Sequence, residues 1–157
     1  MKIKLLAVGK VKKRPISELA EEYAGRIQRL HSFEVQEIPD EAVRANSDVA
    51  KVLTKEGAAL SKAMKKGACP IILDEKGTQW SSTDLAWELG RMFQEPFSEI
   101  VFVIGGAYGL APQLKEQAKH LLSLSKLTLT HDLARVLCLE QIYRALTILR
   151  NVPYHHE

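Results

Sequence analysis

No apolar run in the chain approaches the roughly 20 residues that a bilayer core requires, so no membrane partner is expected. Cysteine is scarce. Cys69 and Cys138 stand far apart, with no Cys-x-x-Cys pair and no histidine at zinc spacing, so no metal site is indicated. Both thiols sit among apolar neighbours and are expected to be buried and inert. Charge of one sign is scarce too: the net charge of +3 is too small by itself to mark a nucleic-acid binder. Repeats, linkers and low-complexity tracts are missing, and 157 residues with 46% apolar content suit one domain with a real core. The opening "MKIKLLAVGKVKKR" has basic residues on both sides of a short apolar stretch and no small-residue cleavage site. It reads as a strand, not a signal peptide, and the cytoplasm is the expected address.

What is present is alternation. Lys2 to Val8 is β-prone and closed by Gly9. Ser17 to Leu30 has helical spacing, with Leu19, Ala20, Tyr23 and Ile27 on one face and Ser17 as candidate cap. Residues 32–39 alternate like a half-buried strand that Pro39 stops, and a polar helix is expected from about Asp48 to Lys66. "PIILD" at 70–74 predicts a short strand leading into a turn at "EKG"; Ser82 to Phe93 predicts a helix. "EIVFVI" at 99–104 predicts a fully buried strand, Ala111 to Leu121 a helix, "SKLTLT" at 125–130 a strand, and Asp132 to Arg150 a last helix halted by Pro153. Strands alternating with helices imply an α/β fold, a mostly parallel sheet with helices on both faces.

The richest local signal is "VFVIGGAYGLAPQ", residues 101–113, a strand joined to a helix through glycines. A phosphate-gripping Gly-x-x-x-x-Gly-Lys-Ser/Thr loop is excluded, because Leu110 and Ala111 follow Gly109. A Gly-x-Gly-x-x-Gly dinucleotide loop fails on spacing and comes too late in the chain. What remains is a tight turn, or a place where backbone approaches a flat ligand. Ligands of open α/β sheets bind beyond the carboxyl ends of strands. Leu73-Asp74, Ile104 to Gly106 and the stretch from Leu124 to Thr130 therefore become the candidate walls.

The last helix is apolar nearly all round: Leu133, Val136, Leu137, Leu139, Ile142, Tyr143, Leu146 and Leu149 cover most of its circumference. Such a helix is buried on several sides, or is packed against its own domain and a partner; a homodimer through it is the favoured expectation. "VFVIGGAYGL", "LSLSKLTLTHDLARVLCLEQIYRA", the terminal "PYHHE" and the opening "MKIKLLAVGKVK" together resemble the small SPOUT-class ribosomal RNA methyltransferases that act on N3 of pseudouridine in large-subunit RNA. The resemblance spans essentially residues 1–157. It implies a C-terminal trefoil knot over approximately 70–157, a homodimer, S-adenosylmethionine as methyl donor, and 23S rRNA in the large subunit or whole ribosome as partner. Knots are among the rare exceptions to the rule against threaded chains. Carried over by motif, the cofactor would lie against Leu73, Gly105, Leu124, Ser125, Lys126, Leu127, Thr128 and Leu129. These are the strand ends already singled out on general grounds. One departure stands out: Thr130 occupies a position where such proteins usually have proline, which predicts a looser loop before His131.

Methyl transfer to nitrogen is an in-line displacement that needs alignment, and the imide N3 must lose a proton to a base or a water. His131, His155, His156 and Glu140 are the candidate bases; His155 ranks first because the polar tail "YHHE" can order over a bound nucleobase, on which Tyr154 can stack. Arg135 and Arg144 are nine residues apart and so face opposite sides of one helix. A composite site at a dimer interface, with an arginine from each subunit, would reconcile them; Glu140 and Arg144 can equally pair on the surface. The expected catalytic set is His155, Tyr154 and Arg135, with Arg144, His131, Lys12 and Lys13 on the substrate. "KVKKR" at 10–14, with Arg26 and Arg29, is either a solvated face or a phosphate-binding patch. Two other functions fit the same residues: a ribosome-associated RNA-binding or assembly factor, and a methyltransferase of this fold acting on transfer RNA.

Overall fold

The structure is a computed structural model that describes residues 1–42 and 48–156. Five strands form one all-parallel sheet in the order β2-β1-β4-β3-β5. They are β1 (Lys2–Val8), β2 (Phe33–Ile38), β3 (Cys69–Gln79), β4 (Glu99–Ile104) and β5 (His120–Ser123). The helices are α1 (Arg14–Leu30), α2 (Val49–Ala63), α3 (Ser82–Met92), α4 (Pro112–Glu116) and α5 (His131–Leu149).

Pleating divides the apolar residues between two cores. Ile3, Leu5, Ile100 and Phe102 face the layer built from α1, α3 and α5; Leu6, Val8, Val101 and Val103 face the layer of α2 and α4. The central strand β4 is buried at every residue, as a strand covered on both faces must be. Cys69 and Cys138 are buried and free, and burial pushes the Cys69 thiol up to about 11 and the Cys138 thiol further in the same direction. Both are therefore neutral thiols, as expected. At the amino edge of the sheet the buried Lys4 donates to the Ala63 carbonyl at 3.0 Å and lies 3.5 Å from the buried Glu99 carboxylate.

Four elements differ from expectation, each for a local reason. Helix α1 begins at Arg14, because Pro15 suits a first helical turn, and Ser17 bonds the Glu21 side chain within the helix instead of capping it. Helix α4 ends at Glu116, after which the Lys119 amide donates to the Pro70 carbonyl at 2.9 Å and draws the chain into the sheet as β5. The strand expected at 125–130 is a loop: Ser123 Oγ donates to the Ser125 carbonyl and the Leu127 amide donates to Ser125 Oγ, both at 2.9 Å. Serine hydroxyls that satisfy nearby backbone compete with a ladder. "EKG" is no turn either. β3 runs on to Gln79, and its register against β5 slips between Leu73 and Thr78. The slip is a bulge, and bulges re-aim side chains out of the ladder.

Thr130 caps α5, its hydroxyl accepting from the Leu133 amide at 3.3 Å with φ at −62°. That φ is near the value proline would impose, so the restraint expected to be lost is replaced by a cap.

Gly77 sits where β3 and β5 come closest: a Cβ there would lie 2.6 Å from the Leu121 carbonyl carbon and oxygen. Neither backbone can yield without parting the strands. Gly77→Ala is expected to destabilise the protein by at least about 2 kcal/mol in urea unfolding, as overpacking against backbone does; a change within experimental error would mean that the two strands are not held this closely.

Candidate functional site

All five strands point their carboxyl ends the same way, and there the bulge of β3, the end of β4, the loop after β5 and the start of α5 enclose a cavity of about 620 Å³. Ligand pockets commonly fall between about 300 and 1,000 Å³, so a nucleoside fits. Leu73, Gly105, Leu124, Ser125, Leu127, Thr128 and Leu129 line it, as does His131. Lys126 alone of the expected cofactor residues does not, and its side chain is exposed.

The glycine turn shapes the floor. A Cβ on Gly105 would lie 2.4 Å from the Gly109 carbonyl oxygen, so only glycine lets the chain double back this tightly, and Gly109 holds φ at +83°. Behind the turn the buried Glu56 carboxyl accepts from the Glu41 amide at 3.3 Å, and burial pushes its pKa upward.

The β3 bulge places Asp74, Glu75 and Lys76 in the pocket wall. Burial pushes the Asp74 carboxyl upward, but hydrogen bonds from Lys115 and from the Lys76 amide outweigh it and hold Asp74 below the ordinary carboxylate value. Asp74 is therefore ionised at neutral pH. Glu75 takes the hydroxyl of Thr128 at 3.3 Å, tying the bulge to the 124–129 loop. Sequence reasoning marked the Leu73-Asp74 strand end but missed Glu75 and Lys115; nothing short of the bulge and the short α4 would bring them here.

The remaining candidates lie elsewhere. Arg135 is 2% exposed and outside the cavity lining; it donates to Glu37 at 2.5 Å and to the Gly9 carbonyl at 2.8 Å. It ties α5 to the carboxyl ends of β1 and β2. On the opposite side of α5, Glu140 Oε1 accepts from Arg144 at 2.5 and 3.0 Å and from Tyr154 at 3.1 Å. The pairing of Glu140 with Arg144 is thus present, but it is partly buried rather than on the surface. Arg144 also packs over the Tyr154 ring and lies 3.3 Å from His155 Nδ1. Burial, then hydrogen bonds with Tyr23 and Glu140, push the Tyr154 phenol well up, so it remains a donor. Lys12 and Lys13 are exposed in the loop after β1, on the same edge of the sheet as the cavity. His156 ends the described residues and is exposed; Glu157 lies outside them.

Within one chain the tail is far from the cavity. From Ala134, the last residue of α5 on the cavity, to Arg144 the helix advances about 15 Å at 1.5 Å per residue. The structure therefore gathers two groups, a cavity at one end of α5 and the Arg144–Tyr154–His155 cluster at the other.

A parallel α/β sheet with a nucleoside-sized cavity beyond its carboxyl edge defines a class, the α/β proteins that bind a nucleotide-like cofactor at strand ends. Comparison with known proteins narrows it. Residues 1–155 match the family model described as "Predicted SPOUT methyltransferase", and the chain belongs to that family. It is 42% identical to the ribosomal RNA large subunit methyltransferase H of Geobacter metallireducens, over 99% of each chain. It is 40% identical to the protein of that name from Desulforamulus reducens, again over 99% of each. Among solved structures, a probable methyltransferase from Bordetella pertussis matches 92% of this chain and 94% of its own, with a TM-score of 0.56 and 13% identity. A putative methyltransferase from Legionella pneumophila, solved with bound SAM, matches 90% of this chain, which spans 65% of that protein, with a TM-score of 0.50 and 15% identity. Both likenesses concern the fold.

The two arginines differ in a way stability can read. Arg135→Ala is expected to cost about 2–4 kcal/mol, because it leaves the Gly9 carbonyl and Glu37 without their partner. Arg144→Ala, in a partly buried pair on the far side of α5, is expected to cost less, about 1–2 kcal/mol. Equal losses in urea unfolding would contradict this division of roles.

Proposed function

We propose that the protein is a cytoplasmic S-adenosylmethionine-dependent methyltransferase that modifies N3 of a pseudouridine in 23S rRNA, working as a homodimer on the large subunit or whole ribosome. The observation that carries the reading is the cavity: it coincides with the strand ends that the family resemblance assigns to the cofactor, in a chain that belongs to the SPOUT family. Its residues fit an adenosyl group. Leu73, Leu124, Leu127 and Leu129 can cover the faces of a flat base, and the irregular 124–129 backbone can read its edge. S-adenosylmethionine, when bound, supplies an electrophilic methyl on a sulfonium. The chain's part is alignment, water exclusion and control of the N3 proton.

A dimer completes the site. On α5 the exposed Leu133 and Leu137 share one stripe with Glu140 and Arg144, by the helical repeat, from the cavity end to the tail end. A two-fold axis across this stripe pairs α5 antiparallel with its copy. Each tail then meets the partner's cavity, with Tyr154 stacked on the extruded base and Lys12 and Lys13 on flanking phosphates. Arg135 holds the frame in this arrangement, and Arg144 serves the substrate. The trefoil knot belongs to the same reading.

The role of His155 follows from its neighbour. A guanidinium only donates, so Nδ1 facing Arg144 is an acceptor and the ring proton sits on Nε2. His155, first among the candidate bases, is thereby better suited to donate from Nε2 to a carbonyl beside N3, lowering the cost of the imide anion while water takes the proton.

Mass mapping of modified nucleotides after incubation with ribosomes, free rRNA or transfer RNA tests the function; methylation confined to transfer RNA, or none with any substrate, would overturn it. Mixed dimers test the shared site. Gly105→Ala and a chain cut after Pro153 are each expected to be inactive, while their heterodimer regains about half the wild-type turnover through its one intact site. No recovery would leave the tail without that role. His155→Ala is expected to lower kcat about 100-fold. His155→Gln, which donates from a similar position but cannot take a proton, is expected to stay within about tenfold of wild type. Equal loss in both variants would return His155 to the role of base.

A further inference from the structure

The cavity has two chemically different walls. One is the 124–129 loop, with its leucines and irregular backbone; Glu75 leans toward this side through Thr128. The other is α4, where Lys115 forms an ion pair with Asp74 across the mouth of β3. Both members of the pair line the cavity, and both are half-buried or more, with Asp74 at 10% side-chain exposure and Lys115 at 35%.

We propose that Asp74 and Lys115 form a socket for the amino-acid end of the cofactor, an assignment that rests on the S-adenosylmethionine reading above. An α-amino acid carries an ammonium and a carboxylate one carbon apart. A lysine–aspartate pair in contact presents the same two charges in reverse, so the two pairs close into a ring of four alternating charges. Among the described residues neither protein group is saturated. Lys115 has three donors, one of them on Asp74; the Asp74 carboxylate accepts from Lys115 on one oxygen and from the Lys76 amide on the other, and each oxygen keeps a further lone pair. The zwitterion adds no net charge to a partly desolvated pair, so its seating avoids the penalty of an uncompensated ion. The adenine then falls to the leucines of the 124–129 loop, and the bulge in β3 presents Asp74 to the amino-acid end.

Isothermal titration with two product-like probes tests this. S-adenosylhomocysteine carries the amino-acid end and 5′-methylthioadenosine lacks it. Wild-type protein is expected to bind the first at least about tenfold more tightly, the scale of one charge-assisted bond pair. Asp74→Asn and Lys115→Met are each expected to weaken S-adenosylhomocysteine about tenfold or more and to change 5′-methylthioadenosine by less than about twofold. A thermal melt of each variant confirms that it is folded. If wild-type protein binds both probes equally, or if either folded variant loses both in parallel, the pair only staples α4 to β3 and the socket is overturned. If wild-type protein binds neither probe, the cofactor reading falls and the socket with it.

Discussion

Strand β3 is hydrogen-bonded on both sides, to β4 and to β5, although both follow it in sequence. That parallel pairing is the constraint on which the site depends. It sets the bulge of β3, the carboxyl end of β4 and the loop after β5 side by side, so three segments distant in the chain form one cavity wall. The pairing tolerates no side chain at Gly77, where the two backbones nearly touch, and the slip in register between Leu73 and Thr78 sets Asp74, Glu75 and Lys76 in the cavity wall. Structural tightness and site chemistry thus come from the same few residues.

Helix α5 joins this frame to the rest of the molecule. Its inward face, with Leu139, Ile142 and Leu146 almost wholly buried, packs between α1 and α3. Arg135, on that same side, reaches the Gly9 carbonyl and Glu37, so the start of α5 is fixed to the edge of the sheet where the loops converge. The cap at Thr130 fixes the same end from the loop side. Between them, the loop that carries Leu124 to Leu129 is held at both ends, by Ser123 and Ser125 where it leaves β5 and by Thr130 where it enters α5.

Much of this was legible in the chain. Five consecutive apolar residues at 100–104 marked a strand buried on both faces, and the apolar residues of 132–150 marked a helix buried against its own domain. The cavity positions at the end of β4 and after β5 were legible because parallel sheets bind at carboxyl ends. Leu73-Asp74 was marked by the same rule, although it is a bulge inside β3 and not the strand's end. What escaped was decided by non-local or side-chain effects. Residues 125–130 alternate well enough for a strand, but two serine hydroxyls divert them. "EKG" has turn composition, but β5 captures it into a bulged strand. The Asp74–Lys115 pair could not be read at all, because it exists only after α4 stops short and β3 bulges.

The length of α5 has a consequence for how many chains a site needs. A side chain reaches several ångströms, whereas about 15 Å of helix separates Ala134, the last cavity residue of α5, from Arg144. The tail beyond it is turned back onto α5, with Asn151 in the left-handed region and the Val152 amide donating to the Thr147 carbonyl at 2.9 Å. It then packs Tyr154 edge-on to Tyr143, with its hydroxyl near that of Tyr23. Folded in this way it cannot extend to its own cavity without losing Glu140, Arg144 and both tyrosines. In the proposed dimer a second copy would remove the conflict, because an antiparallel neighbour would bring its own tail to the cavity while every intrachain contact stayed in place. The same rigid spacer that keeps the two halves apart within a chain would then set them at the right distance between chains.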